Sequence, residues 1–136
     1  MNSRYTLSLA MLMMALLTEC SQHRTIAQFD DEPVPTVSAR ALWERINSGV
    51  ATFVLDVRTP EEYNGPLGHI EGSRLIPLQE LGTRMHELSD VRNQQVFVVC
   101  KGGVRSAQAT HLLLNAGYQV SNVTGGMRAW NDLVRK

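Results

Sequence analysis

The sequence predicts an α/β domain: a mainly parallel central sheet of about five strands flanked by helices on both faces. Short apolar runs of strand length alternate with longer segments whose apolar positions recur at helical spacing. The runs are continuously apolar instead of alternating with polar residues, as in parallel strands covered on both sides. With 136 residues, the chain is long enough for one domain with a proper core and too short for two ordinary ones.

Taken in order, the chain opens on features of export. Arg4 lies in a short polar segment, and an apolar run from Leu7 to Leu17 follows, so residues 1–19 read as a signal peptide. That run is too short to span a bilayer core, which needs roughly 20 apolar residues. Residues 20–36 are polar, carry Asp30-Asp31-Glu32 and the prolines Pro33 and Pro35, and read as a tether. The folded domain is expected over 37–136.

Ser38 can cap a first helix whose apolar face is Ala39, Leu42, Trp43 and Ile46, with Asn47-Ser48-Gly49 ending it. Thr52–Val57 is the first expected strand. Thr59-Pro60-Glu61-Glu62-Tyr63 starts a short helix with proline at a favoured first position. After a glycine-rich loop comes a short strand at Leu75-Ile76, then a helix with the stripe Leu78, Leu81, Met85 and Leu88. Val96–Cys100 is a strand, and the following helix is expected to bury Ala109, Leu112, Leu113 and Ala116 before Gly117 stops it. Tyr118–Val123 supplies another strand, and Met127, Trp130, Leu133 and Val134 form a last helical stripe. Trp43 and Trp130 read as core residues.

The chemistry concentrates in Cys100-Lys101-Gly102-Gly103-Val104-Arg105-Ser106. A cysteine ends a strand, two glycines free the next turn, and a helix begins. Backbone N–H groups in such a turn can form an anion-binding nest, and the helix dipole is positive at that end. A cysteine after an apolar run is more often buried and inert. Here the glycines and the two cations favour a stabilised thiolate, and hence a nucleophile. Ligands of parallel sheets bind at the carboxyl ends of strands, where Cys100 is expected.

Charge and composition exclude other classes. Thirteen basic residues balance thirteen acidic ones, so nothing recommends nucleic acid as a partner. No His or Cys spacing suggests a metal site. The two cysteines, Cys20 and Cys100, raise the prospect of a disulfide in an exported protein.

Four separated segments resemble the single-domain rhodaneses, the thiosulfate sulfurtransferase family. They are Leu55-Asp56-Val57-Arg58-Thr59-Pro60-Glu61-Glu62-Tyr63, Gly68-His69-Ile70-Glu71-Gly72-Ser73, the Cys100–Ser106 loop, and Gly125-Gly126-Met127-Arg128-Ala129-Trp130. The resemblance implies a rhodanese-like fold. It implies that Cys100 accepts a sulfane sulfur as a persulfide, and that Lys101, Gly102, Gly103, Val104 and Arg105 bind the substrate, largely through backbone N–H groups. It implies no cofactor. Arg105 would close the loop and supply positive charge, and Lys101 would face an incoming thiosulfate dianion. Asp56, Arg58 and Glu62 read as structural ion pairs, and His69 as structural rather than as a base for Cys100.

Leu17-Thr18-Glu19-Cys20 resembles the lipobox of bacterial lipoproteins, although Glu19 stands where that pattern has a small residue. The resemblance implies lipidation at Cys20 and a periplasmic domain anchored to a membrane. A cleaved secreted protein and an uncleaved anchor are the alternatives. A lipidated Cys20 could not pair with Cys100.

The expected activity moves a sulfane sulfur from thiosulfate or a persulfide donor to cyanide or a thiol acceptor. Two other readings stand beside it: a non-enzymatic persulfide carrier or partner-binding module, and a cysteine phosphatase or arsenate reductase. The last is disfavoured because only four residues separate Cys100 from Arg105, one fewer than such phosphatases use.

Overall fold

The computed structural model describes residues 33–135, which belong to one compact unit. The signal peptide, most of the tether and Cys20 lie outside the described residues.

Strands and helices alternate as β1 (Thr36–Ser38), α1 (Ala39–Asn47), β2 (Phe53–Asp56), α2 (Pro60–Tyr63), β3 (Arg74–Leu75) and α3 (Leu78–Arg84). A 3-10 helix (Met85–Val91) continues α3, and β4 (Gln95–Val99), α4 (Val104–Asn115), β5 (Gln119–Thr124) and α5 (Gly126–Val134) complete the domain. The five strands form one sheet in the order β1-β5-β4-β2-β3, every neighbouring pair parallel.

Period-two geometry divides β4 between the two faces of that sheet. Val96, Val98 and Cys100 pack with Leu55, Leu81, Leu88, Ala109 and Leu113 on one side. Phe97 and Val99 pack with Ala39, Leu42, Val54, Val123 and Met127 on the other. Helices therefore cover both faces, as the uninterrupted apolar runs predict.

Local chemistry sets the ends of the elements. Ser38 Oγ accepts from the Ala41 N–H and caps α1. Thr59 and Glu62 form a reciprocal capping box around α2, with Pro60 in its first turn.

Several details differ from the sequence-based expectation. Thr36, read as the end of the tether, already belongs to β1, an edge strand in register with Asn122–Thr124 of β5. The expected helix through Leu88 tightens into a 3-10 turn from Met85, because the guanidinium of Arg74 takes the Glu87 carbonyl and the Asp90 carboxylate. The buried face of α4 is Ser106, Ala109, Thr110 and Leu113, whereas Leu112 is exposed. Trp43 is also exposed, while Trp130 is partly buried against the core.

Candidate active site

Cys100 stands at the carboxyl end of β4, the central strand, as the sequence predicts. It is a free thiol, and the residue keeps only 1% of its exposure. Burial pushes the thiol pKa up. Hydrogen bonds from the Ser106 side chain and from the backbone N–H groups of Ser106, Gly103 and Gly102 outweigh it, and the net direction is down. A buried sulfur held this way is equipped to carry negative charge, unlike an inert core cysteine.

The donors come from the way α4 begins. No side chain caps this helix; Gly103 takes the cap position at φ +107°, which strongly favours glycine. Its N–H thereby turns back and donates to Cys100 Sγ at 3.0 Å. A Cβ at Gly103 would also crowd the Gly125 nitrogen at 3.4 Å. Gly102 differs, since a Cβ there would meet only Arg128 Nη1, at 3.9 Å.

Ser106 adds a side-chain donor. Its Oγ lies 3.3 Å from Cys100 Sγ and 2.6 Å from Asn122 Oδ1. The β4–β5 register places Asn122 beside Val98, so the polar pair sits directly under the loop.

Arg105 is committed elsewhere. It donates from Nη1 and Nη2 to the two Glu62 carboxylate oxygens, both at 2.7 Å. The Arg105 guanidinium holds the Glu62 carboxyl down at about 2. The expected ion pairing of Glu62 is thus with the loop arginine, whose charge is neutralised within the protein.

Asp56 and Arg58 form a second, fully buried pair. Arg58 also donates to the carbonyls of Glu62 and Gly68, which ties the second sequence motif to the first. His69 stacks on Tyr63 with ring centroids 3.9 Å apart, and its Nδ1 lies 3.2 Å from the Tyr63 carbonyl. It makes no described hydrogen bond to Cys100.

The remaining segment, Gly125–Trp130, buttresses the loop from below. The N–H of Met127 donates to the Cys100 carbonyl at 2.8 Å, and that of Arg128 to the Lys101 carbonyl at 3.1 Å. Gly126, at φ +53°, sits against the Cys100 carbonyl so closely that a Cβ would collide with it.

A cleft of about 330 Å³ opens beside the loop, lined by Arg58, Glu62, Pro66, Leu67, Lys101 and Arg128. Lys101 and Val104 are exposed on the loop. Sequence reasoning assigned no role to Ser106, Asn122 or Arg128. Ser106 and Arg128 lay within quoted motifs; Asn122 gave no signal, because its position depends on strand register.

Fold and loop together define a class: a parallel α/β domain with a cysteine held by backbone N–H groups at the end of its central strand. The chain belongs to the rhodanese-like domain family, whose model, described as "Rhodanese-like domain", matches residues 38–133. It is 31% identical over 98 residues to a protein of Allochromatium vinosum named "Sulfurtransferase", covering 71% of this chain and 88% of that one. It is 36% identical over 98 residues to the Bacillus subtilis "Putative sulfur carrier protein YrkF", covering 71% of this chain. The chain spans about half of that relative's length, 51%. Among solved structures, a rhodanese-like domain protein from Staphylococcus aureus is similar at a TM-score of 0.66 and 31% identity, over 74% of this chain and 94% of that one.

Proposed function

We propose that this domain is a thiosulfate sulfurtransferase working through a persulfide on Cys100. The observation that carries the proposal is the set of donors converging on Cys100 Sγ, from the Gly103 N–H at 3.0 Å and the Ser106 hydroxyl at 3.3 Å.

In the first half-reaction the Cys100 thiolate attacks the outer sulfur of thiosulfate. A Cys100–sulfur bond forms, the sulfur–sulfur bond of the donor breaks, and sulfite leaves with the bonding pair. The terminal sulfur of the persulfide carries the negative charge, and N–H groups of the 101–105 loop hold it as an oxyanion hole holds oxygen. The new bond, about 2 Å long, also carries the reactive atom outward from a nearly buried thiol. In the second half-reaction cyanide or an acceptor thiolate takes the terminal sulfur, and the Cys100 thiolate returns. Lys101 would steer the donor; Arg105, neutralised by Glu62, shapes the loop.

Mass spectrometry after thiosulfate treatment tests the reading. One added sulfur is expected on the wild-type chain and none on Cys100→Ser; full cyanolysis by that variant would refute the mechanism. Near burial of the thiol and the named B. subtilis relative favour a second reading, a persulfide carrier emptied by a docked protein. A stable persulfide with negligible turnover of small donors would select it.

For location, we propose export and lipidation at Cys20, anchoring the domain at a membrane in the periplasm. The support is the sequence of residues 1–20. Fatty-acid labelling should tag the wild type and not Cys20→Ala.

A further inference from the structure

The cleft beside the loop carries more positive charge than its own ion pairs consume. Of the four charged residues lining it, Arg58 is paired with Asp56, and Glu62 with Arg105. Lys101 and Arg128 remain, and no described side-chain hydrogen bond or ion pair engages either. Arg128 is also fixed to the backbone of the Cys100 loop. Backbone hydrogen bonds from Met127 and Arg128 to the carbonyls of Cys100 and Lys101 lock the first turn of α5 to the loop, and Nη1 of Arg128 lies beside Gly102.

We propose that Arg128 is a specificity-determining residue of this cleft, selecting compounds that carry an oxyanion two to three bonds from the atom Cys100 attacks. The inference deepens the sulfurtransferase reading and rests on Cys100 being the nucleophile. A guanidinium presents a planar fork that matches the paired oxygens of a sulfonate or carboxylate, which a lysine ammonium cannot do. Lys101, on the loop itself, adds a second charge. On the Arg128 side of the cleft lies a further hollow of about 460 Å³, which shares Leu67 and Arg128 and adds Asn131, Asp132 and Arg135. Donors longer than thiosulfate therefore have room while their oxyanion stays on Arg128.

The test compares iodoacetate with iodoacetamide on the full-length chain, reading alkylation on the Cys100 peptide by mass spectrometry. The two reagents share a reacting carbon and differ in a carboxylate against a neutral amide. Arg128→Gln is expected to lower the iodoacetate-to-iodoacetamide rate ratio at least fivefold, and Arg128→Lys to recover part of it. In parallel, Arg128→Gln should raise the KM for thiosulfate more than it lowers kcat. An unchanged rate ratio, or equal loss with both reagents, would overturn the assignment. If wild-type protein forms no persulfide from thiosulfate, the sulfurtransferase reading fails, while the alkylation ratio still judges Arg128.

Discussion

The hydroxyl of Ser106 reaches the sulfur of Cys100 at 3.3 Å while lying 2.6 Å from Asn122 Oδ1. A hydroxyl has one proton and cannot donate to both acceptors at once. Its bond to an anionic sulfur is charge-assisted and the stronger of the two. Ser106→Ala should therefore move the pH midpoint of Cys100 alkylation upward and slow alkylation at pH 7 by about fivefold, the worth of a hydrogen bond of roughly 1 kcal/mol. Iodoacetamide kinetics against pH, read at Cys100, check this.

Glu62 and Arg105 make a pH-dependent clamp. The Glu62 carboxyl lies at about 2 in the folded protein against an ordinary 4.5. A depressed carboxylate stabilises the fold above its unfolded pKa, and that contribution is lost as pH falls from about 4.5 through about 2. Glu62→Gln should cost about 1–2 kcal/mol at pH 7, allowing for partial exposure of the pair. The gap from wild type should close near pH 2. Urea unfolding at both pH values measures it.

Gly126 should be intolerant of any side chain. Gly126→Ala combines a strained positive φ with a collision against the Cys100 carbonyl and should cost more than about 3 kcal/mol. Gly49→Ala has a similar φ of +74° and open space around it, and should cost only about 1 kcal/mol. Thermal unfolding of the two variants separates strain from contact.

Arg58 should be the most stability-critical charge. Removing it by Arg58→Met leaves the buried Asp56 side chain without its partner, at a cost of about 3–5 kcal/mol, and frees the carbonyls of Glu62 and Gly68. Chemical denaturation should register the loss even where the Cys100 loop still reacts with iodoacetamide.

How much was legible follows from the range of each signal. Local signals were readable: the helix start at Thr59-Pro60, the continuous apolar run of β4, and the cysteine before a glycine turn. What eluded sequence reasoning depends on distant partners. β1 is three residues with a single half-buried valine, and only its pairing with β5 makes it a strand. The assignment of Leu112 to the core failed because polar Ser106 and Thr110 take the inward face of α4, where Thr110 donates to the Ser106 carbonyl. Arg105 announced its charge but not its consumption, since Glu62 lies forty-three residues away. Arg128 was hidden for the converse reason, a surface arginine until α5 docks.

That docking has a temporal meaning. The carbonyls of Cys100 and Lys101 are fixed by N–H groups of Met127 and Arg128, which the ribosome adds well after the thiol itself. A nascent or clipped chain ending before α5 would hold the cysteine without the backbone brace that orients its loop or the cation beside it. The braced geometry of the Cys100 loop thus arrives only with completion of the fold.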